Sequence, residues 1–93
     1  MELNLKNKVV LITGSSYGIG FYIAKSFIEE GSKVIITSRY TKNLDKTKKN
    51  LTKLSNNKNI FFEKVNFNNL KSVKNLKNNL KNKNLQIDIL VNN

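Results

Sequence analysis

The sequence predicts an α/β domain: one parallel four-stranded sheet in the order 3-2-1-4, with three helices crossing between strands. Three observations predict it. Two short apolar runs rich in β-branched residues, Val9-Val10-Leu11-Ile12 and Val34-Ile35-Ile36-Thr37, lack the alternation of a half-exposed strand and suit inner parallel strands buried on both faces. The segments between the apolar runs carry hydrophobic residues at three- and four-residue steps, the period of a helix. A glycine-bearing turn, Gly14 to Gly20, follows the first run at once.

In chain order, strand one is expected over Lys8–Thr13 and helix one over Gly18–Glu30, with Ile19, Ile23 and Phe27 apolar and Gly31 as a C-terminal cap. Strand two is Val34–Thr37. Leu44, Leu51 and Leu54 share one face of a second helix, Lys42–Ser55, and Asn56 to Asn59 reads as a loop. Ile60–Val65 is strand three, Asn69–Lys81 is helix three with Leu70, Val73, Leu76 and Leu80 as its stripe, and Ile87–Val91 is strand four. Strand-helix alternation of this kind gives a parallel sheet, here a partial Rossmann fold with its ligand expected at the switch between strands one and four.

Ninety-three residues make one small domain, 1–93, and 39% hydrophobic content supports a modest core. Cysteine and histidine are both absent, which removes disulfides and argues against zinc sites and histidine-dependent catalysis. The net charge is +11, yet lysine and asparagine are spread together along the chain, and no recognition motif accompanies them. Specific nucleic-acid binding is therefore not expected, while the positive field should attract phosphorylated ligands. The polar N-terminus leads into only four apolar residues, short of the ~7–15 of a signal peptide or the ~20 of a membrane span, so a soluble, cytoplasmic protein is expected.

The turn Thr13-Gly14-Ser15-Ser16-Tyr17-Gly18-Ile19-Gly20 places three glycines between a strand and a helix. Gly14 suits a sharp turn, Gly18 lets a ligand approach the backbone, and Gly20 lets the helix lie close to strand one. Ser15 and Ser16 add hydroxyls near unpaired helix amides. A helix start of this kind favours a bound anion, most often phosphate. The lysine of a triphosphate-binding P-loop is missing.

This segment resembles the T-G-x-x-x-G-I-G cofactor loop of the short-chain dehydrogenases/reductases. Asp88-Ile89-Leu90-Val91-Asn92-Asn93 is similar to the same family's D-x-L-V-N-N-A-G segment, cut before its alanine and glycine. The resemblance runs from about Lys8 to the last residue. It implies hydride transfer between a nicotinamide dinucleotide and a carbonyl or alcohol, with Gly14, Ser15, Ser16, Tyr17, Gly18, Ile19 and Gly20 around the cofactor. It also implies that Asn92 stands near the adenosine side and ties down strand four. Asn66 stands where the family commonly has an aspartate bonding the adenine amino group; an asparagine carbonyl accepts such a bond without charge.

Cofactor preference is read about 20 residues beyond the loop, at the end of strand two, where a carboxylate selects NAD and an arginine accommodates the extra phosphate of NADP. Thr37-Ser38-Arg39 offers no acid, and the planar fork of Arg39 binds phosphate bidentately. NADP is the expected cofactor.

The family's catalytic pair, Y-x-x-x-K, is not present. Four residues after Tyr17, Tyr22 and Tyr40 stand Phe21, Ser26 and Leu44. The chain thus reads as the N-terminal cofactor-binding part of an oxidoreductase, without activity alone. The alternative is a non-catalytic nucleotide-binding or regulatory module that pairs with a complete homologue, or with itself, through an open sheet edge.

Overall fold

The structure, a computed structural model, describes residues 5–14, 18–54 and 59–93. Seven elements alternate along the chain: β1 (Val9–Ile12), α1 (Gly18–Glu29), β2 (Lys33–Ser38), α2 (Thr41–Leu54), β3 (Ile60–Lys64), α3 (Leu70–Asn82) and β4 (Ile89–Val91). The strands form one sheet in the order β3-β2-β1-β4. All three pairings are parallel, with Leu11 opposite both Ile35 and Leu90 and with Ile36 opposite Phe62. This is the partial Rossmann arrangement expected from the sequence.

Parallel strands joined through helices take right-handed crossovers, so the face on which a helix lies depends on the direction of travel across the sheet. From β1 to β3 the chain moves one way, and it returns past β1 to reach β4. Accordingly α1 and α2 pack on one face, where Ala24, Ile28, Leu44 and Leu51 meet Val10, Ile12, Val34 and Ile36. On the other face Leu76 and Leu80 of α3, with Leu85, meet Val9, Leu11, Ile35 and Val65. Every β1 residue is buried, which explains its continuous apolar run. Fully burying each such side chain contributes ~1.5–3 kcal/mol.

The helix ends follow from their capping residues. At the end of α1, Gly31 has φ +84°; its N–H donates to the Ile28 carbonyl and that of Ser32 to the Phe27 carbonyl. That pair of bonds is a Schellman motif, and the positive φ is why glycine stands there. The same motif closes α3 with Asn84 at φ +56° and bonds from Asn84 N–H to Lys81 O and from Leu85 N–H to Leu80 O. Leu80 and Leu85 are then brought together in the core. Asn69 is the N-cap of α3, its side chain accepting from the Ser72 N–H.

Several details differ from the sequence expectations. Ile19 is 74% exposed, and the buried line of α1 is Gly20, Ala24 and Ile28. Leu70 is 70% exposed because it opens the helix at the sheet's end, so the stripe of α3 is buried only at Leu76 and Leu80. Thr47 joins Leu44 and Leu51 on the buried face of α2, while the Leu54 side chain lies outside the described residues. Strand four is shorter than expected: Asp88 precedes it and exchanges bonds with Val9, its N–H donating to the Val9 carbonyl and its Oδ2 accepting from the Val9 N–H, both 2.9 Å. Among the described residues no helix is long and apolar enough to cross a membrane.

Candidate functional site

The carboxyl ends of β1, β2 and β3 open into a cleft of about 250 Å³, with Gly14 from the first, Ser38 and Arg39 from the second, and Asn66 from the third among the residues lining it. Strand ends in a parallel sheet converge on such a crevice because every strand points the same way and each connection leaves from the same side. Asn43, in the first turn of α2, and the exposed aromatic side chains Tyr40 and Phe67 complete the rim.

Each wall has a local cause. Beneath the cleft, the buried Thr37 donates from Oγ1 to the Ile12 carbonyl at 2.9 Å, binding the end of β2 to that of β1. Arg39 is exposed, lies with its guanidinium carbon 5.9 Å from the centre of the Tyr40 ring, and has no ion pair among the described residues. Its fork is thus available to a ligand. Asn66 is held by a turn of its own: Oδ1 accepts from the Asn68 N–H at 3.0 Å, and its backbone N–H donates to Ser72 Oγ at 2.9 Å.

The turn after β1 is anchored to the end of β4. Thr13 Oγ1 donates to Asn92 Oδ1 at 3.2 Å and accepts from the Asn93 N–H at 3.0 Å, and Asn93 Nδ2 donates to the Gly14 carbonyl at 3.2 Å. Asn92 therefore ties strand four as expected, although it does not line the cleft. Asn93 was not singled out by the sequence reading, although the Asn-Asn pair at the strand end is the signal that marks it. Gly14 has φ +61° and Gly18 φ +64°. A Cβ at Gly14 would stand 3.4 Å from the Asn93 carbonyl oxygen, whereas one at Gly18 would meet nothing within 4 Å among the described residues. Gly20 is buried in α1. Ser15, Ser16 and Tyr17 lie outside the described residues.

So Gly14, Arg39 and Asn66 are brought to one cleft, with Gly18, Ile19, Gly20 and Asn92 off its lining. Asn43, Phe67 and Asn68 are lining residues that sequence reasoning missed, while Thr37 and Ser38 line the cleft beside Arg39. Of those missed, Asn68 was legible as the partner two residues beyond an asparagine in an Asx-type turn. Among the described residues no group of three metal-ligating side chains comes together.

Comparison with known proteins bears on the family and the fold. A Bacillus subtilis (strain 168) protein, "Uncharacterized oxidoreductase YvrD", is 53% identical over 47 residues, which is 50% of this chain and 18% of that protein. The NADP-dependent (R)-specific alcohol dehydrogenase of Lentilactobacillus kefiri is 52% identical over 40 residues, 43% of this chain and 16% of that one. Among solved structures, L-sorbose reductase from Gluconobacter frateurii complexed with NADPH and L-sorbose superposes with a TM-score of 0.87 at 29% identity, covering 100% of this chain and 35% of its own. The chain thus spans about a third of that structure and under a fifth of those two relatives. The sequence profile described as short chain dehydrogenase matches residues 8–93, nearly the full length from the start of β1 through β4, and on that match the chain belongs to the short-chain dehydrogenase family.

Proposed function

We propose that the chain binds the adenosine-phosphate side of NADP(H) and is the N-terminal cofactor-binding part of an oxidoreductase that interconverts a carbonyl and an alcohol. The observation that carries this reading is the convergence of Gly14, Arg39 and Asn66 on one cleft beside a glycine turn. The residues fit a dinucleotide. Gly18 holds a positive φ at the start of α1, with no described residue within 4 Å of where a Cβ would stand, and the amides of a helix start favour phosphate. In this reading Gly18, together with Ser15, Ser16, Tyr17, Ile19 and Gly20 of the same turn, surrounds the pyrophosphate. Arg39 takes the 2′-phosphate, Asn66 meets the base, and Asn92 holds the end of β4 against the turn.

When bound, the nicotinamide supplies hydride chemistry. This chain's own residues bind and orient the dinucleotide. The family's tyrosine and lysine, which move the proton, have no counterpart in it. We therefore expect no turnover of aldehydes, ketones or alcohols by the 93-residue chain alone, since general acid–base catalysis contributes ~10²–10⁴-fold and substrate orientation contributes more. NADPH oxidation above background that disappears on Gly18→Ala would overturn that expectation.

Titration of NADPH and NADH by nicotinamide fluorescence tests the reading. NADPH should bind more tightly, and Arg39→Asp should reverse or abolish the preference, because a charge-assisted phosphate contact contributes ~1.5–3 kcal/mol, tenfold or more in affinity. Equal wild-type affinities would remove Arg39 from the site.

A second reading has its own observation. β4 stands at the sheet edge, its Leu90 is 63% exposed beside buried Leu11, and a groove of about 890 Å³ lined by Val73, Leu76 and Ile87 runs along α3 nearby. An apolar edge of this kind favours association, as a nucleotide-binding module paired with a complete homologue or a second copy would use it. Co-purification with a complete homologue distinguishes the two readings.

A further inference from the structure

Asn66 offers the cleft a different hydrogen-bonding end from the one an aspartate would offer. The Asn68 backbone N–H lies 3.0 Å from the side-chain amide of Asn66. A backbone N–H can only donate, so the end of the planar amide that faces it must be the oxygen. That bond turns the amide: Oδ1 is engaged in its own turn, and Nδ2, with two hydrogens, is the end with no partner among the described residues. Asn66 is half-buried and lines the cleft together with the exposed rings of Tyr40 and Phe67, flat apolar surfaces of the kind on which a base stacks.

Purines differ at position 6. Adenine carries an amino donor there, whereas a 6-oxo purine carries an acceptor oxygen. A carboxylate held in this turn would accept from the amino group and repel the oxygen. The Asn66 Nδ2 donates to the oxygen and gains nothing from the amino group, which is left only the second lone pair of an Oδ1 already bonded to the Asn68 N–H. From this orientation, and resting on the nucleotide reading above, we propose that Asn66 is a specificity-determining residue that reads the purine as a donor, so that the cleft takes a dinucleotide with a 6-oxo purine at least as well as one with adenine.

The test compares NADPH with its deamino counterpart, in which hypoxanthine replaces adenine, each titrated by nicotinamide fluorescence into the full chain. The wild type should bind the deamino form as tightly as NADPH or more tightly. Asn66→Asp retains an acceptor for the Asn68 N–H and should shift the ratio toward NADPH by roughly tenfold or more, the size of one hydrogen bond gained and one repulsion introduced. Asn66→Ser also retains an acceptor but has no amide donor. It should shift the ratio the same way by less, and it serves if the aspartate variant does not fold. Wild-type discrimination against the deamino form by more than about tenfold, or a ratio unchanged in the folded variants, overturns the proposal while NADPH binding leaves the nucleotide reading standing. Failure of the chain to bind either dinucleotide overturns both.

Discussion

Gly18 and Gly31 form a matched pair for testing whether the glycine turn is a ligand site. Both have positive φ, +64° and +84°, so alanine at either is forced into the left-handed region at a cost of ~1–2 kcal/mol. Neither would clash with a described residue: a Cβ at Gly18 meets none within 4 Å, and one at Gly31 stands 3.5 Å from the flexible Lys6 side chain. At ~4–8 °C per kcal/mol for a domain of this size, each variant should melt about 4–16 °C below wild type. Their effects on binding should separate. Gly31 lies at the opposite end of α1, where its carbonyl accepts from Asn7, whereas a methyl at Gly18 occupies the space at the helix start where phosphate would sit. Loss of one charge-assisted bond there costs ~1.5–3 kcal/mol, or roughly 10- to 150-fold in NADPH affinity. Circular dichroism melts and fluorescence titration of both variants measure the two effects. Wild-type affinity in folded Gly18→Ala, or equal loss of affinity in Gly31→Ala, would refute the reasoning.

Leu51→Ala removes a side chain that is 1% exposed between α2 and the sheet and should cost ~2–5 kcal/mol in urea denaturation, with an unchanged denaturant slope. Asp88→Ala deprives the N–H of the buried Val9 of its carboxylate partner at 2.9 Å. It should cost ~1–3 kcal/mol and speed hydrogen exchange at the Val9 amide, and an unchanged exchange rate would remove Asp88 from the β1–β4 junction.

Local pattern determined the elements, their parallel pairing and the glycine turn, because each is encoded within a few residues. A continuous β-branched run such as Val34 to Thr37 has no exposed face to solvate, and Gly31 after an apolar helix stops it. The residues that define the cleft through their own strand ends, Arg39 and Asn66, were legible for the same reason: each stands one or two residues past a strand whose end could be read. What periodicity could not supply was which apolar positions the sheet would cover. Leu70 and Ile19 fit helical stripes, yet they open their helices past the sheet's end and stand 70% and 74% exposed.

Contacts between positions about eighty residues apart were decided only by the tertiary structure. Strand order brings the end of β4 beside the turn after β1, so that Thr13 bonds to Asn92 and Asn93, and Asn93 to the Gly14 carbonyl. It likewise brings Thr37 to the Ile12 carbonyl. The sequence by itself determined that position 66 is an amide where its family commonly has an acid. The way that amide faces follows from folding, since only the closed turn brings the Asn68 N–H to within 3.0 Å of its oxygen, and a donor at that distance leaves the side chain one orientation.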